Sequence, residues 1–302
     1  MSVVVQLRGG LGNHLFQYAA GYSLSQRLGE NLLLDTSLLP QEEVVLGGVR
    51  RWTEQISGFA HVGGFIDTAG PSPIRRRLVQ SLSGRERALG DSMLSRVFSG
   101  RVYAHETRED LAEFAALRPG ARINAYCNSI RFFEDHQDEI RRQVHEIVSP
   151  SDWYSKQLTR LRREEAVAIH LRWGDYLNLK HVFGTIPPSY YRRSLDLLSR
   201  AVGDRPVWLF SDDAPGAAEY LRGTVEIANV VEPPVESTAL ENLLLLSSAT
   251  GLVGANSTFS WWAAFLSSSH DTVVFPRPLY ADGGPPEPKE WLQPDWIQIG
   301  RA

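Results

Sequence analysis

The second half of the chain alternates between short apolar segments and longer amphipathic ones. The short segments are predicted strands and lie at residues 166–172, 206–213, 225–231, 250–256 and 272–276. The amphipathic segments between them are predicted helices and lie at residues 188–202, 214–222, 237–248 and 259–267. Alternation of this kind predicts a parallel sheet covered by helices, in which ligands bind at the carboxyl ends of the strands.

The N-terminal segment begins with a second pattern of the same type. Residues 3–7 form an apolar strand, residues 14–28 have apolar side chains at helical spacing, and residues 31–35 form another short strand. This order predicts a parallel pair, which belongs to a sheet with helices on its faces. A proline and a helix-capping serine mark a boundary near residue 150. We therefore predict two α/β domains, residues 1–150 and 151–302, with a ligand cleft between them.

Composition excludes several classes of protein. The chain has 302 residues, a formal net charge of −4 and a pI near 6.1, which give no overall electrostatic attraction for nucleic acid. Its one cysteine, Cys127, excludes an intrachain disulfide and a multi-cysteine zinc site. The N-terminus lacks the pattern of a signal peptide, and no apolar run approaches the roughly 20 residues that span a bilayer. We predict a cytoplasmic protein and leave peripheral contact with the inner face of the membrane open.

The sequence GGLGN, residues 9–13, joins the first predicted strand to the first predicted helix. Leu15 occupies the place of the third glycine of a dinucleotide-binding fingerprint, and the lysine of a P-loop is absent. In a structural interpretation the glycines allow a tight turn and Asn13 caps the helix. In a functional one, Asn13, His14 and Gln17 are polar groups at the start of an apolar helix. His14 and Gln17 then share one face, which points across the predicted cleft.

A second polar cluster, HLRWGD at residues 170–175, follows the first strand of the second half. Alternation along a strand puts His170 and Arg172 on the same side. An arginine at the carboxyl end of a parallel strand suits bidentate capture of a phosphate. The structural alternative is an ion pair between Arg172 and Asp175 that closes the turn.

Two further polar clusters follow later strands of the same half. Asp212 and Asp213 have three open roles: capping the next helix, accepting N–H groups from a base such as guanine, or holding Mg²⁺ on a diphosphate. A polar run ahead of a Trp-rich helix offers hydroxyls and backbone N–H groups to a phosphate. It contains Asn256, Ser257, Thr258 and Ser260. Trp261 and Trp262, which follow, are predicted to pack in the core.

Together these segments resemble glycosyltransferase family 11, the α-1,2-fucosyltransferases. The matching pieces, in the family's order, are GGLGNHLFQYA, HLRWGDY, FSDD, NSTFSWWAAFL and a weaker PDWIQI. The resemblance implies a GT-B-like fold, with two Rossmann-like α/β domains that face a central cleft. It further implies that the C-terminal domain binds the donor GDP-L-fucose and that the N-terminal domain meets the acceptor. The reaction inverts the anomeric carbon and uses no essential metal ion and no other cofactor.

The resemblance also implies roles for individual residues on the donor side. His170 and Asp212 match positions that related fucosyltransferases use around guanine. Arg172 matches the arginine that holds the β-phosphate, and with this assignment the metal-binding role of Asp212 falls away. The segment that wraps the diphosphate matches Asn256, Ser257, Thr258 and Phe259.

On the catalytic side, Asn13 matches the asparagine that faces the reacting sugar. Asp175 and His14 are the candidates for a general base by their chemistry. Two residues depart from the family's motifs: Trp173 replaces a second arginine, and His14 stands where glutamine is common. We expect the phosphate contact of Arg172 to survive the first change, since neighbouring strand residues point to opposite faces. We expect the second change to introduce a group that titrates near neutral pH.

The predicted activity is the transfer of L-fucose from GDP-L-fucose to the 2-hydroxyl of a terminal β-galactose. The acceptor is a galactose-terminated oligosaccharide or a lipid-linked glycan. Two alternatives remain open: a non-enzymatic protein that binds nucleotide-sugars or glycans, and an enzyme similar to the protein O-fucosyltransferases. The arginine-rich segment at residues 75–101 is interpreted either as a contact to an anionic membrane or as a solvated surface.

Overall fold

The fold is given by a computed structural model. It describes residues 1–37, 39, 43–45, 48–50, 62–66, 102–104, 110–174, 180–268, 272–282, 284, 287 and 290–301. The chain divides into two compact units, Met1–Gln41 with Trp52–Gln143, and Glu42–Arg51 with Val144–Ala302. Asp175 and the arginine-rich segment 75–101 lie outside the described residues.

The first unit is built on a parallel sheet. Strands β1 to β7 are, in chain order, Ser2–Gln6, Asn31–Asp35, Glu43–Val45, Gly48–Arg50, Val62–Ile66, Val102–Tyr103 and Arg122–Ile123. Helices α1 to α3 are Leu11–Leu28, Leu111–Ala115 and Gln137–Glu146, and 3₁₀ turns cover Ile130–Phe132 and Glu134–His136. The sheet has the order β5-β2-β1-β7-β6, while β3 and β4 form a separate antiparallel pair that belongs to the second unit. The strand order therefore reverses between β1 and β7.

The second unit contains a larger sheet in which all pairs are parallel. Strands β8 to β13 are Val167–Leu171, Val207–Ser211, Asn229–Val230, Gly251–Val253, Thr272–Arg277 and Ile297–Gly300. Helices α4 to α9 are Asp152–Arg163, Lys180–Phe183, Pro188–Val202, Ala214–Leu221, Ala239–Ser247 and Thr258–Leu266. The strand order is β10-β9-β8-β11-β12-β13. The chain builds outward from β8 to β10 and then crosses to β11, so the carboxyl ends of β8 and β11 flank a topological switch point.

The prediction of two α/β domains with parallel sheets is confirmed. The strand predicted at 225–231 is only Asn229–Val230, because β10 is an edge strand and pairs with β9 alone. This difference shortens one element and leaves the topology as predicted. Helix α3, Gln137–Glu146, directly follows a 3₁₀ turn at Glu134–His136.

The core of the second unit contains the two tryptophans of the NSTFSWWAAFL segment. Trp261 and Trp262 are fully buried, as predicted. The Trp261 ring stacks on Phe265, and its Nε1–H donates to the carbonyl of Trp291. A buried indole with a satisfied N–H is a packing residue. Trp261 therefore packs in the core and supports the sheet.

Helix α1 packs closely on the sheet of the first unit. It has 18 residues and ends at Gly29 in the left-handed conformation, with φ of 63°. A Cβ at Gly21 would lie 2.4 Å from Val5 Cγ2 and 2.9 Å from Leu32 Cδ1, so the helix backbone lies directly against side chains of the strands. In the described part of the chain, no helix has both the length and the apolar character needed to cross a bilayer.

We expect Gly21→Val to lower the free energy of unfolding by about 1–3 kcal/mol, because added methyl groups overpack this contact. Urea denaturation measures the change. Gly300→Val is the matched control, since a Cβ at Gly300 in edge strand β13 meets no atom within 4 Å. Equal stability of the two variants would contradict the close packing of α1.

Candidate functional site

Three predicted clusters meet at one edge of the second sheet. His170 is the penultimate residue of β8, Asp212 follows β9, and Ser257 follows β11. Because β8 is hydrogen-bonded to both β9 and β11, the carboxyl ends of the three strands are adjacent. The parallel topology thus brings together side chains that are up to 87 residues apart in the chain, from His170 to Ser257.

His170 is buried and bonded across the switch point. Its Nδ1 lies 2.6 Å from the hydroxyl of Ser260, and that hydroxyl accepts the N–H of Ala255 at 2.9 Å. When the hydroxyl of fully buried Ser260 donates to Nδ1, the single ring proton of neutral His170 lies on Nε2. Burial, followed by the Arg172 charge, lowers the pKa of His170, and the Asp212 charge opposes this shift. His170 is therefore neutral near pH 7 and presents Nε2–H as a donor.

Arg172 lies beside Asp212 at the same edge. Its Nη2 is 3.6 Å from Asp212 Oδ2, a distance for an ion pair and longer than a hydrogen bond. The two side chains are 24% and 21% exposed, so both reach the surface of the site. Asp212 is thus a charge partner of Arg172. The predicted partner Asp175 lies outside the described residues.

The two aspartates of the FSDD motif have different roles. Asp213 caps α7, where its Oδ1 accepts the N–H of Gly216 at 3.1 Å, and this confirms the capping prediction for Asp213. Asp212 turns toward β8, and its Oδ1 accepts the backbone N–H of Trp173 at 2.8 Å. Within the described residues, no group of three or more His, Cys, Asp or Glu side chains could hold a metal ion.

The polar residues before α9 also have different roles: some make structural contacts and others are accessible. Ser257 is the N-cap of α9, and its Oγ accepts the N–H of Phe259 at 3.2 Å. Asn256 is buried, and its Nδ2 donates to the carbonyls of Phe183 and Leu279 at 3.0 and 2.6 Å. Both amide protons of Asn256 are therefore engaged. The sequence predicted that Asn256 contacts a phosphate, and the structure instead engages its amide in the protein. The accessible residues of this segment are Thr258 and Phe259, which are partly exposed.

The glycine turn of the first unit has a clear local geometry. Gly9 has a φ of +80°, which favours glycine, whereas Gly10 has extended backbone and is the N-cap of α1. Asn13 therefore lies inside the helix, and the prediction that it caps the helix is wrong. Its Nδ2 would lie 2.4 Å from a Cβ at Gly9, so Gly9 makes room for the Asn13 side chain.

His14 and Gln17, which the sequence predicts to share one face of the helix, are both fully buried. Gln17 Oε1 accepts the N–H of Arg8 at 3.1 Å, and Gln17 Nε2 donates to the Arg8 carbonyl at 3.3 Å. Burial lowers the pKa of His14 to about 4, against a smaller opposing effect of a hydrogen bond with the Gly9 backbone. The expected titration of His14 near neutral pH is therefore wrong, because burial penalises the charged ring.

This burial predicts a pH dependence of stability. His14 has a pKa of about 4 in the folded chain and 6.5 in the reference state, so the unfolded chain binds this proton more tightly. Stability is then complete above the unfolded pKa and is lost as the pH falls through this window. By pH 5 we expect wild type to lose about 2 kcal/mol more than His14→Gln, relative to pH 8.

Urea unfolding at the two pH values measures this difference. His181→Gln is the control, since His181 is exposed. An acid loss in His14→Gln equal to that of wild type would rule out His14 as its source.

Arg8 is a residue that motif reasoning missed. Its Nη2 donates to the Asn124 carbonyl at 2.8 Å, and its guanidinium lies 4.6 Å from the Tyr126 ring centroid. With its backbone held by Gln17, Arg8 is fixed at the switch point between β1 and β7. Its position directly before the glycines was the only signal in the sequence.

The fold and the site define a class of protein: an α/β protein with a cationic and hydrogen-bonding site at the switch point of a Rossmann-like sheet. The profile of glycosyl transferase family 11 matches residues 108–300, which is more than half of the chain. The chain therefore belongs to glycosyl transferase family 11 and is a sugar transferase by family.

Two curated relatives match nearly the whole chain. It is 26% identical to the alpha-1,2-colitosyltransferase of Escherichia coli, over 97% of this chain and 99% of that protein. It is 24% identical to the O-antigen biosynthesis glycosyltransferase WbnK of Escherichia coli, over 91% of this chain and 94% of that protein. Among solved structures, the fucosyltransferase NodZ from Bradyrhizobium covers 88% of this chain and 93% of its own at 17% identity, with a TM-score of 0.49.

Proposed function

We propose that the chain is an inverting α-1,2-fucosyltransferase that transfers L-fucose from GDP-L-fucose to the 2-hydroxyl of a terminal β-galactose. The observation that carries the proposal is the cluster at the switch point of the second unit, in a chain that belongs to family 11. There Arg172 and Asp212 lie within 3.6 Å, and His170 is hydrogen-bonded to Ser260. The cluster offers a cation, an acceptor and a neutral donor, which suit a diphosphate and a purine base.

On this proposal the donor's phosphates bind to Arg172 and to the start of α9. Arg172 takes the β-phosphate, since a guanidinium matches the geometry of phosphate oxygens. Ser257, Thr258 and Phe259 surround the diphosphate, where a helix N-terminus favours negative charge. Asn256 supports this segment through its contacts to Phe183 and Leu279.

The guanine base is assigned to His170 and Asp212. The Nε2–H of His170 donates to an acceptor atom of the base, and the Asp212 carboxylate accepts from its N–H groups. A carboxylate selects guanine because guanine presents two adjacent N–H donors at N1 and N2, whereas adenine presents a lone pair at N1.

The reaction is a single displacement at the anomeric carbon. The acceptor oxygen forms the new glycosidic bond as the bond to the β-phosphate oxygen breaks, and the electron pair leaves with GDP. Arg172 stabilises the charge that grows on the diphosphate, and we propose that no metal ion is essential for this step. Asn13 is assigned to the transferred sugar.

The acceptor proton goes to a base, to solvent or to the departing phosphate. His14, with its pKa lowered to about 4, is a weak base. Asp175 is therefore the remaining side-chain candidate of the two. A displacement with a loose, oxocarbenium-like transition state needs little assistance from either.

A second donor deserves the same test, because one relative carries the name alpha-1,2-colitosyltransferase. Colitose is fucose without its 3-hydroxyl, so both sugars fit the same chemistry of transfer. The experiment is an array of galactose-terminated and other glycans incubated with GDP-fucose or GDP-colitose, with GDP release and product linkage measured.

Acceptor-stimulated GDP release with an α-1,2-linked fucose product would support the proposal. Preference for GDP-colitose would change the donor and retain the linkage. GDP-fucose binding that no acceptor converts to product would favour a binding protein, and product on a peptide hydroxyl would favour an enzyme of the protein O-fucosyltransferase type.

A further inference from the structure

Trp173 stands directly after Arg172 and forms a stacked pair with Tyr220 of α7. The ring centroids are 4.0 Å apart with an interplanar angle of 29°. A Cβ at Gly216, in the same helix, would lie 2.8 Å from Trp173 Cδ1. Gly216 therefore leaves the space that the indole occupies. The Tyr220 hydroxyl donates to the Ile186 carbonyl at 3.3 Å, so the second ring of the pair is anchored in turn.

The same residue holds Asp212 through its backbone. The Trp173 N–H donates to Asp212 Oδ1 at 2.8 Å, while Oδ2 faces Arg172 at 3.6 Å. A Cβ at Gly174 would lie only 3.0 Å from Asp212 Oδ2, so Gly174 leaves the space that this oxygen occupies. The hydrogen bond to Oδ1 and the ion pair at Oδ2 set the plane of the carboxylate. That plane fixes the direction from which N–H donors of a ligand reach it.

We propose that Trp173 is a positioning residue for nucleotide selectivity: its stacking on Tyr220 fixes the backbone N–H that orients Asp212 toward the guanine edge. This inference rests on the proposed function, in which Asp212 meets the base of a guanine nucleotide. Arginine, which the motif usually has at this position, has a flexible and strongly charged side chain. An indole packed on Tyr220 instead gives a rigid local anchor without adding a second cation beside Arg172.

The chemistry of the base makes this role measurable. A correctly oriented carboxylate accepts from both N1–H and the 2-amino group of guanine. Hypoxanthine keeps N1–H and lacks the 2-amino group, so GDP and IDP differ by one donor at this carboxylate. A hydrogen bond to a charged group is worth roughly tenfold or more in affinity. The ratio of the dissociation constants of IDP and GDP therefore reports how well Asp212 is oriented.

The experiment measures GDP and IDP binding by calorimetry in the full chain. Wild type is expected to prefer GDP by roughly tenfold or more. Asp212→Asn should abolish this preference, and Trp173→Ala should reduce it by about fivefold or more, on the same scale. Trp173→Phe keeps a ring on Tyr220 and should restore most of the preference. Tyr220→Phe keeps the stack and should leave it near the wild-type ratio.

The failure of the inference is distinguishable from failure of the proposed function. Absence of GDP binding to wild type would overturn the proposed function, and an unchanged ratio in Asp212→Asn would overturn the assignment of Asp212 to the base. Loss of the preference in Asp212→Asn, with a wild-type ratio in Trp173→Ala, would overturn the role of Trp173 alone. If Trp173→Ala does not fold, Trp173→Leu takes its place, since it keeps the backbone N–H and apolar bulk and loses the aromatic stack. The ratio of the dissociation constants of IDP and GDP must then fall in this variant.

Discussion

Arg172→Ala is expected to reduce turnover by about a hundredfold or more, the scale of losing one contact to charge that develops in the transition state. Arg172 lies at the carboxyl end of β8 beside Asp212, at the switch point where an α/β sheet binds its ligands. The measurement is the initial rate of sugar transfer at saturating donor. A loss in kcat larger than the change in KM for the donor is expected, since the leaving diphosphate gains charge only during reaction.

Two comparisons make this prediction specific. Arg172→Lys keeps the charge and loses the bidentate fork, so it should recover part of the activity. Arg222→Ala is the control: Arg222 is an exposed arginine whose side chain is 76% accessible and pairs with Glu219. It should retain wild-type turnover.

Nucleotide binding separates the β-phosphate from the rest of the donor. Arg172→Ala should weaken GDP binding and leave GMP binding unchanged, because GMP has no β-phosphate. Near-normal turnover in folded Arg172→Ala would remove Arg172 from the reaction. Equal losses for GDP and GMP would place it near the base or the α-phosphate instead.

The topology was predictable from the sequence because it follows from local patterns. Alternating strands and helices require parallel connections, and parallel strands place their carboxyl ends at one edge. His170 and Asp212 could therefore be assigned to one site without knowledge of any contact between them. The length of edge strand β10 was overestimated. Apolar residues such as Val225 and Ile227 pack against the core, but they do not pair with β9 as part of the strand.

The roles of individual polar residues were less predictable, because they depend on partners far away in the chain. Asn256 bonds with Phe183, which is 73 residues earlier, and nothing near Asn256 indicates this. The burial of His14 depends on how α1 packs. The local sequence predicted which face of the helix His14 occupies, and it did not predict that this face is buried. The tautomer of His170 follows from Ser260, which is 90 residues later. In each case a pattern identified the residue and tertiary contacts decided what it does.

Asn256→Ala is expected to lower the free energy of unfolding by about 2–4 kcal/mol, because two carbonyls lose their donor in a buried place. Asn256 is only 6% exposed and joins Phe183 of α5 and Leu279 after β12 to the loop before α9. Thermal or urea unfolding measures the loss. Ser257→Ala is the matched comparison and should cost about 1 kcal/mol, the usual effect of removing an N-cap.

The same variant distinguishes a support from a phosphate ligand. If Asn256 only holds the loop, GDP affinity measured well below the unfolding temperature should fall modestly, and by a similar factor for GDP and GMP. Asn256→Asp should be as unstable as Asn256→Ala, because a carboxylate offers no donor to the two carbonyls and adds a buried charge. A variant of wild-type stability that loses GDP affinity would reverse this conclusion. It would return Asn256 to the phosphate contact that its motif predicts.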